Sequence, residues 1–200
     1  MRFVRPIALL LLSLGVLTLS TNLPAAPLKL DDYAVGNYPI GGDFTLTNQD
    51  GGHTSLKQFR GKAVLLTFGY THCDDVCPAT VALFKTVKHK LGPDGARMQA
   101  VFISVDPKRD TPAALKTWMA AFDPTFVGLT GSPQELKRTS DQYMSKFHVH
   151  EDSAGNSHDV DHLAFIYLID PQGKVRYLFS PEVKRDLLVA GVKAVLAGKS

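Results

Sequence analysis

The spacing of apolar residues predicts strands and helices in alternation along the chain. Ala63–Phe68 and Gln99–Val105 are almost wholly apolar, a pattern typical of strands that are buried on both faces of a sheet. Val81–Leu91 instead carries apolar residues at helical spacing. Thr111–Phe122 begins with a threonine followed by proline, the residue types of an N-cap and a first helical position, and therefore predicts a second helix.

The second half of the chain continues this alternation. Ser132–Phe147 begins with Ser-Pro-Gln-Glu, in which the serine and the glutamate can form a capping box, and it predicts a third helix. His148–Asp161 is polar and rich in His, Asp and Gly, so we expect a surface loop. Leu163–Ile169 and Val175–Phe179 predict two strands joined by a Pro- and Gly-containing turn, and Glu182–Leu196 predicts a final amphipathic helix.

These elements together predict one α/β domain over residues 41–198, long enough to bury a core. Its central mixed sheet should be flanked by helices. Phe44–Thr47 alternates like a strand and is followed by Asp-Gly-Gly, which predicts a hairpin extension at the N-terminal side. A functional site is expected where the first buried strand meets its helix, at the carboxyl end of the sheet.

Residues 1–26 predict an export signal, because two arginines precede an apolar run from Pro6 to Leu19 and small residues follow it. The run is shorter than the roughly 20 residues of a membrane-spanning helix, but an uncleaved membrane anchor stays open. The segment directly after the run contains no cysteine, which excludes a lipid-anchored maturation site. We expect residues 27–40 to be a linker and the protein to be periplasmic, or anchored to the membrane facing the periplasm.

The charge balance excludes one class of partner. The formal net charge is +3, and removal of Arg2 and Arg5 with the signal would lower it to +1. Proteins that bind nucleic acid usually carry a strongly basic surface. A near-neutral domain therefore argues against nucleic acid as the partner.

Cys73 and Cys77 are the only cysteines among the 200 residues, and Pro78 follows directly. If Pro78 lies in the first turn of a helix, residues four apart share one face with their Cα atoms about 6 Å apart. Two sulfurs placed in this way can close a disulfide or bind one soft metal ion. A purely structural disulfide is disfavoured, because a bridge over three intervening residues removes little entropy from the unfolded chain.

The donor chemistry favours an exchangeable metal. Thiolates favour Cu(I) and zinc, and an imidazole would add a donor acceptable to Cu(I), Cu(II) or Zn(II). A structural zinc site is normally closed by four protein ligands, and the chain has no third cysteine. His72 directly precedes Cys73, so in a regular helix start its side chain would point away from the metal. A thiol-disulfide oxidoreductase stays open as an alternative, although such motifs usually have two intervening residues, and a peroxidase is a more distant one.

Several polar residues near the predicted site can be explained by structural roles, without a part in the chemistry. Asp110 or Thr111 can cap the following helix, and Arg109 can pair with a carboxylate. Three aromatic residues are expected to pack around the sulfurs and limit the access of water: Phe68, Tyr70 and Phe165. A further group of histidines and acids could form an accessory metal-collecting loop or simply be solvated: His148, His150, Glu151, Asp152, His158 and Asp159.

Four motifs in this order resemble the SCO/SenC family: Gly41–Leu46, Phe68–Pro78, Ser104–Pro112 and Asp161–Pro171. The resemblance covers residues 41–196. It implies a thioredoxin-like fold and a copper-binding, membrane-facing assembly factor for the dinuclear copper centre of cytochrome c oxidase.

By this resemblance the copper ligands are Cys73, Cys77 and His162, and the ion is Cu(I) or Cu(II). The partner would be the copper-centre subunit of the oxidase or another copper chaperone. Asp74 stands where many family members have proline, and Asp75 follows it. Two carboxylates near the sulfurs oppose thiolate formation, whereas a helix N-terminus favours it. We therefore predict a copper metallochaperone, with a thiol-disulfide oxidoreductase as the alternative.

Overall fold

The computed structural model describes residues 29–151, 157–162 and 164–198, with the backbone alone at residues 151, 157–159 and 162. The predicted export signal and part of the polar segment after His148 lie outside these ranges. Among the helices in the described ranges, none combines the length and the hydrophobicity that a bilayer crossing requires.

A mixed sheet of seven strands forms the centre of the described chain. The described residues form nine strands in all, which are, in chain order, β1 (Thr45–Asn48), β2 (His53–Ser55), β3 (Ala63–Gly69), β4 (Met98–Ser104), β5 (Val127–Thr130), β6 (Phe147–Glu151), β7 (Ser157–His162), β8 (Ile166–Ile169) and β9 (Val175–Phe179). The sheet order is β2-β1-β5-β4-β3-β8-β9, and β6 pairs with β7 in a separate ribbon. β3, β4 and β5 are parallel, whereas β1 and β8 join them antiparallel. The predicted mixed sheet and its N-terminal hairpin are thereby confirmed.

Four α-helices cover this sheet: α1 (Val76–Lys90), α2 (Pro112–Ala120), α3 (Pro133–Gln142) and α4 (Arg185–Leu196). On one face, α2 packs closely against β5. A Cβ atom added to Gly128 of β5 would stand only 3.0 Å from Met119 Cγ of α2. The other face is covered after α3 by Tyr143, whose ring centroid lies 5.8 Å from that of Phe68 and 5.3 Å from that of Tyr167. Because both faces are covered, every residue of β3 and β4 is buried, as the apolar runs predict.

The predicted helix caps are present, but α3 is shorter than predicted. Ser132 Oγ accepts a hydrogen bond from the Glu135 amide at 3.3 Å, and Glu135 Oε2 accepts one from the Ser132 amide at 2.8 Å. α3 ends at Gln142, and Met144 has a φ of 53°, a left-handed conformation that does not continue a helix. The prediction of a helix reaching Phe147 is therefore wrong.

The predicted loop over His148–Asp161 is also wrong for most of its length. β6 and β7 form an antiparallel ribbon in which Phe147 is paired with His162 and Val149 with Val160. Val160 is buried, whereas His148 and His150 are exposed, so the residues alternate between an inner and an outer face. The polar composition of the segment concealed this alternation.

Part of the segment predicted as a linker packs against the domain. Leu30–Tyr33 form a 3-10 helix. The ring centroid of Tyr33 lies 4.9 Å from that of Phe179 in β9, and Ala34 forms a β-bridge with Tyr177. The domain surface at β9 is therefore covered by chain that precedes Gly41.

Candidate metal centre

The two cysteines lie between β3 and α1, at the carboxyl end of the parallel strands. β3 ends at Gly69, Cys73 lies in the loop that follows, and Cys77 is in the first turn of α1. Pro78 comes next, in the same turn, where the missing amide of proline costs no helical hydrogen bond. The site thus occupies the strand-to-helix junction that the sequence predicts.

The two sulfurs are close and chemically unequal. Both cysteines are free thiols, and the Cys77 amide donates a hydrogen bond to Cys73 Sγ at 3.5 Å. Asp75, the N-cap residue of α1, makes no side-chain cap hydrogen bond, so the sulfur of Cys73 accepts from an amide at this helix start. Cys73 is half-buried, whereas Cys77 is only 3% exposed. Reagents from solution therefore reach Cys73 first.

Cys77 packs against the backbone of β3 at Gly69. A Cβ at Gly69 would stand 2.6 Å from Cys77 Sγ and 2.8 Å from Phe102 Cε2, so only glycine leaves room for the sulfur. Burial in this apolar position raises the pKa of the Cys77 thiol, while a backbone hydrogen bond from Tyr70 lowers it and the neighbouring Cys73 raises it. The net shift is upward, so at neutral pH Cys77 carries its proton until a metal or a base takes it.

The aromatic environment differs from the prediction. Phe68 does not face the sulfurs, because it packs on Tyr143 and Tyr167 at the face of the sheet opposite to Gly69. The ring beside Cys77 belongs to Phe102 of β4. Sequence reasoning missed this residue because its position depends on the pairing of β4 with β3.

A buried carboxylate fixes the residues before Cys73. Asp110 is fully buried and accepts hydrogen bonds from the Thr71 amide at 2.9 Å, the Thr71 hydroxyl at 2.5 Å and the Ser104 hydroxyl at 2.6 Å. His72 Nδ1 lies 3.7 Å from the same carboxylate. Of the two predicted cap residues of α2, Asp110 and Thr111, it is Thr111 that provides the cap, accepting from the Ala114 amide, while Asp110 holds Thr71 and Ser104.

An ion pair lies beside this carboxylate. Arg109 Nε donates to the buried carboxylate of Asp106, which confirms the predicted pairing of Arg109 with an acid. The guanidinium carbon of Arg109 also lies 5.6 Å from the centroid of the Tyr70 ring, within the range of a cation-π contact. The loop after β4 thereby places the guanidinium of this ion pair against Tyr70, in the loop that carries Cys73.

His162 is described by its backbone alone. It is the last residue of β7 and is paired with Phe147. Three residues later, the Phe165 carbonyl accepts a hydrogen bond from the Thr67 hydroxyl of β3 at 3.0 Å. Three residues span at most about 10 Å, so the chain at His162 passes close to the end of β3 that carries the site. Among the side chains that the structure describes, no three His, Cys, Asp or Glu side chains converge to hold a metal ion.

Known proteins share this fold and this sequence. The SCO1/SenC family model matches residues 34–197. An SCO2-like protein of Rickettsia conorii is 38% identical over 170 residues, which are 82% of each chain. The structure of Bradyrhizobium japonicum ScoI with copper bound is similar with a TM-score of 0.70 and 38% identity, over 78% of this chain and 99% of that one.

A third similar protein is BsSco, a member of the Sco family of cytochrome c oxidase assembly proteins in which a disulfide switch has been identified. Its structure gives a TM-score of 0.65 and 26% identity, over 84% of this chain and 99% of that one. The extent of the family match and the identity to the Rickettsia protein decide the assignment. The chain therefore belongs to the SCO1/SenC family, and its thioredoxin-like α/β fold is the one that the sequence predicts.

Proposed function

We propose that the protein is a copper metallochaperone, in which Cys73, Cys77 and His162 bind one exchangeable copper ion as cargo. The observation that carries the proposal is the pair of free sulfurs at the start of α1, in a chain 38% identical to a ScoI whose structure contains copper. Two thiolates suit Cu(I), and an imidazole extends the donor set to Cu(II). Three protein ligands leave a position through which the ion can be exchanged.

The surroundings of the sulfurs fit this cargo. Cys77 lies in an apolar pocket beside Phe102, which excludes water from one side of the ion. A metal that binds there must displace the proton of Cys77, so loading releases protons to solution. Asp110 holds Thr71 in place, and the loop to Cys73 is therefore positioned before an ion arrives.

The proposed acceptor is the dinuclear copper centre of cytochrome c oxidase, reached directly or through another copper chaperone. This acceptor is proposed because BsSco, a similar protein, is a member of the Sco family of cytochrome c oxidase assembly proteins. We further propose that the chain acts on the periplasmic side of the membrane, because residues 1–26 have the composition of an export signal or anchor.

His162→Ala is the variant that tests the third ligand. We expect copper affinity to fall by at least about 100-fold, with the greater loss for Cu(II), because changes in the partners of metal ligands alone already cost 10–100-fold. Thermal stability should remain that of the wild type. The measurement is an anaerobic titration against a competing chelator, with His89→Ala, which replaces an exposed histidine of α1, as the matched control. Unchanged copper stoichiometry and affinity in His162→Ala would remove His162 from the site.

A thiol-disulfide reductase is the second candidate, and two observations favour it: the unequal exposure of the free cysteines and the disulfide switch of BsSco. The Cys73 thiolate would attack a target disulfide and form a mixed disulfide, releasing one target thiolate. Cys77 would then attack Cys73 Sγ, so that the second target thiol is released and the Cys73/Cys77 pair is left oxidised. The raised pKa of Cys77 makes this second step slow at neutral pH.

A trapping experiment tests this candidate without metal. Cys77→Ser incubated with a disulfide-bonded model peptide should accumulate a covalent adduct on Cys73, because the resolving thiol is missing. Cys73→Ser should form no adduct, because its remaining thiol is buried. Mass spectrometry identifies the modified residue. A wild-type protein that neither reduces the peptide nor becomes oxidised over hours would exclude the reductase activity.

A further inference from the structure

The outer face of the β6–β7 ribbon carries a group of metal-binding side chains that the cysteine site does not use. His148 and His150 are two residues apart on β6 and therefore share one face, and Asp161 is paired with His148 across the ribbon. All three are exposed. Phe147, Val149 and Val160, at the alternate positions, pack against the core. We call His148, His150 and Asp161 the outer histidine face.

The side chains of this face are arranged like part of a metal site. The ring centroids of His148 and His150 lie 4.7 Å apart, with the ring planes at 81°. His150 Nε2 lies 2.7 Å from Asp161 Oδ2, on the diagonal of the ribbon. This contact leaves Nδ1 of His150 available, and a metal-bound imidazole usually donates its other N–H to a carboxylate in this way. A solvent-exposed contact between a histidine and a carboxylate contributes little to stability, so stability gives no reason for the pairing.

We propose that the outer histidine face binds one Cu(II) ion through a ring nitrogen of each of His148 and His150, with Asp161 as the positioning residue that orients His150. Imidazoles bind borderline divalent ions, and Cu(II) is bound most tightly among those of the first transition series. Two protein ligands leave the remaining positions to water, so the ion exchanges readily.

This site is separate from the cysteine centre, because the two share no donor. Asp161 of this face directly precedes His162 in β7, at the strand end that passes close to the proposed copper centre. Any part that it takes in delivering copper rests on the proposed function. Binding of Cu(II) by the face does not, so the two proposals can fail independently.

The test uses the full chain with Cys73→Ser, Cys77→Ser and His162→Ala combined, so that all three proposed ligands of the main centre are absent. Titration with Cu(II) should give one bound equivalent, with couplings from two nitrogens in the electron paramagnetic resonance spectrum. Adding His148→Ala and His150→Ala should abolish these couplings and weaken binding at least tenfold. Adding His53→Ala and His89→Ala, which replaces exposed histidines elsewhere, should change neither readout.

Asp161→Asn in the same background tests whether Asp161 acts by orienting His150. We expect Cu(II) to bind about tenfold more weakly with both nitrogen couplings retained, because the imidazoles remain and only the orienting carboxylate is lost. The proposal is overturned if the combined variant binds no Cu(II), or if binding survives the loss of His148 and His150 unchanged. Wild-type protein titrated in parallel reports the cysteine centre by its sulfur-to-copper absorption, so a failure there is seen separately.

Discussion

Cys73→Ser should lose the sulfur-to-copper charge-transfer absorption of the copper-loaded protein and should no longer bind copper tightly. A hydroxyl oxygen is a hard and weakly basic donor, and a single remaining thiolate does not replace the pair. The fold should change little, because Cys73 is half-buried and a serine oxygen can accept the Cys77 amide as an N-cap oxygen does. The measurement is an anaerobic copper titration of the reduced protein followed by absorption spectroscopy.

Cys77→Ser provides the matched comparison. It should lose copper to the same extent but also lose about 1–3 kcal/mol of unfolding free energy, because a hydroxyl would be buried beside Phe102 in an apolar pocket. An unchanged absorption band in Cys73→Ser would show that Cys73 is not the sulfur ligand of copper. Loss of the band in both variants, with loss of stability only in Cys77→Ser, is the expected combination.

Asp110→Ala should lower the free energy of unfolding by about 3 kcal/mol or more. The carboxylate accepts three hydrogen bonds, and its removal leaves the fully buried hydroxyl of Ser104 and the amide and hydroxyl of Thr71 without this acceptor. The same change should release the loop that leads to Cys73. Chemical denaturation measures the first effect, and the alkylation rate of Cys73 in the folded protein measures the second.

Two control variants separate this effect from a general loss of charge. Asp110→Asn keeps the shape of the side chain and one oxygen acceptor, so it should cost clearly less than alanine. Asp94→Ala removes a carboxylate from an exposed ion pair with Arg97 and should stay within about 0.5 kcal/mol of the wild type. If Asp110→Ala were as stable as Asp94→Ala, the buried carboxylate would have no structural role.

Local patterns predicted most of the fold. β3 and β4 were recognisable because strands covered on both faces are continuously apolar, and the caps of α2 and α3 were recognisable because capping uses residues three apart. The end of α3 was not, since it depends on the left-handed conformation at Met144 and on the docking of Phe147 in a strand. The β6–β7 ribbon was missed because its outer face is polar and composition outweighed alternation.

The site could be predicted only where it is local. Cys73 and Cys77 share a helix start, so their spacing alone brings the sulfurs together. The contact between Asp110 and Thr71 joins residues 39 apart, and no sequence pattern announces it. His162 lies 85 residues after Cys77, and its prediction as a ligand rested mainly on the family resemblance, with its position before an apolar strand as the only local sign. Phe102 depends on strand register, which a single sequence does not specify.

Because Cys73 is half-buried and Cys77 is buried, the proposed centre would be open to solvent on the side of Cys73 and closed on the side of Cys77. Under the proposed function, an incoming acceptor would approach from the Cys73 side, and the bond between copper and Cys77 would be the last to break. A proton would then return to Cys77, whose buried surroundings raise its pKa and favour the neutral thiol. Proton competition at Cys77 would therefore favour release of copper as the pH falls and binding of copper as the pH rises.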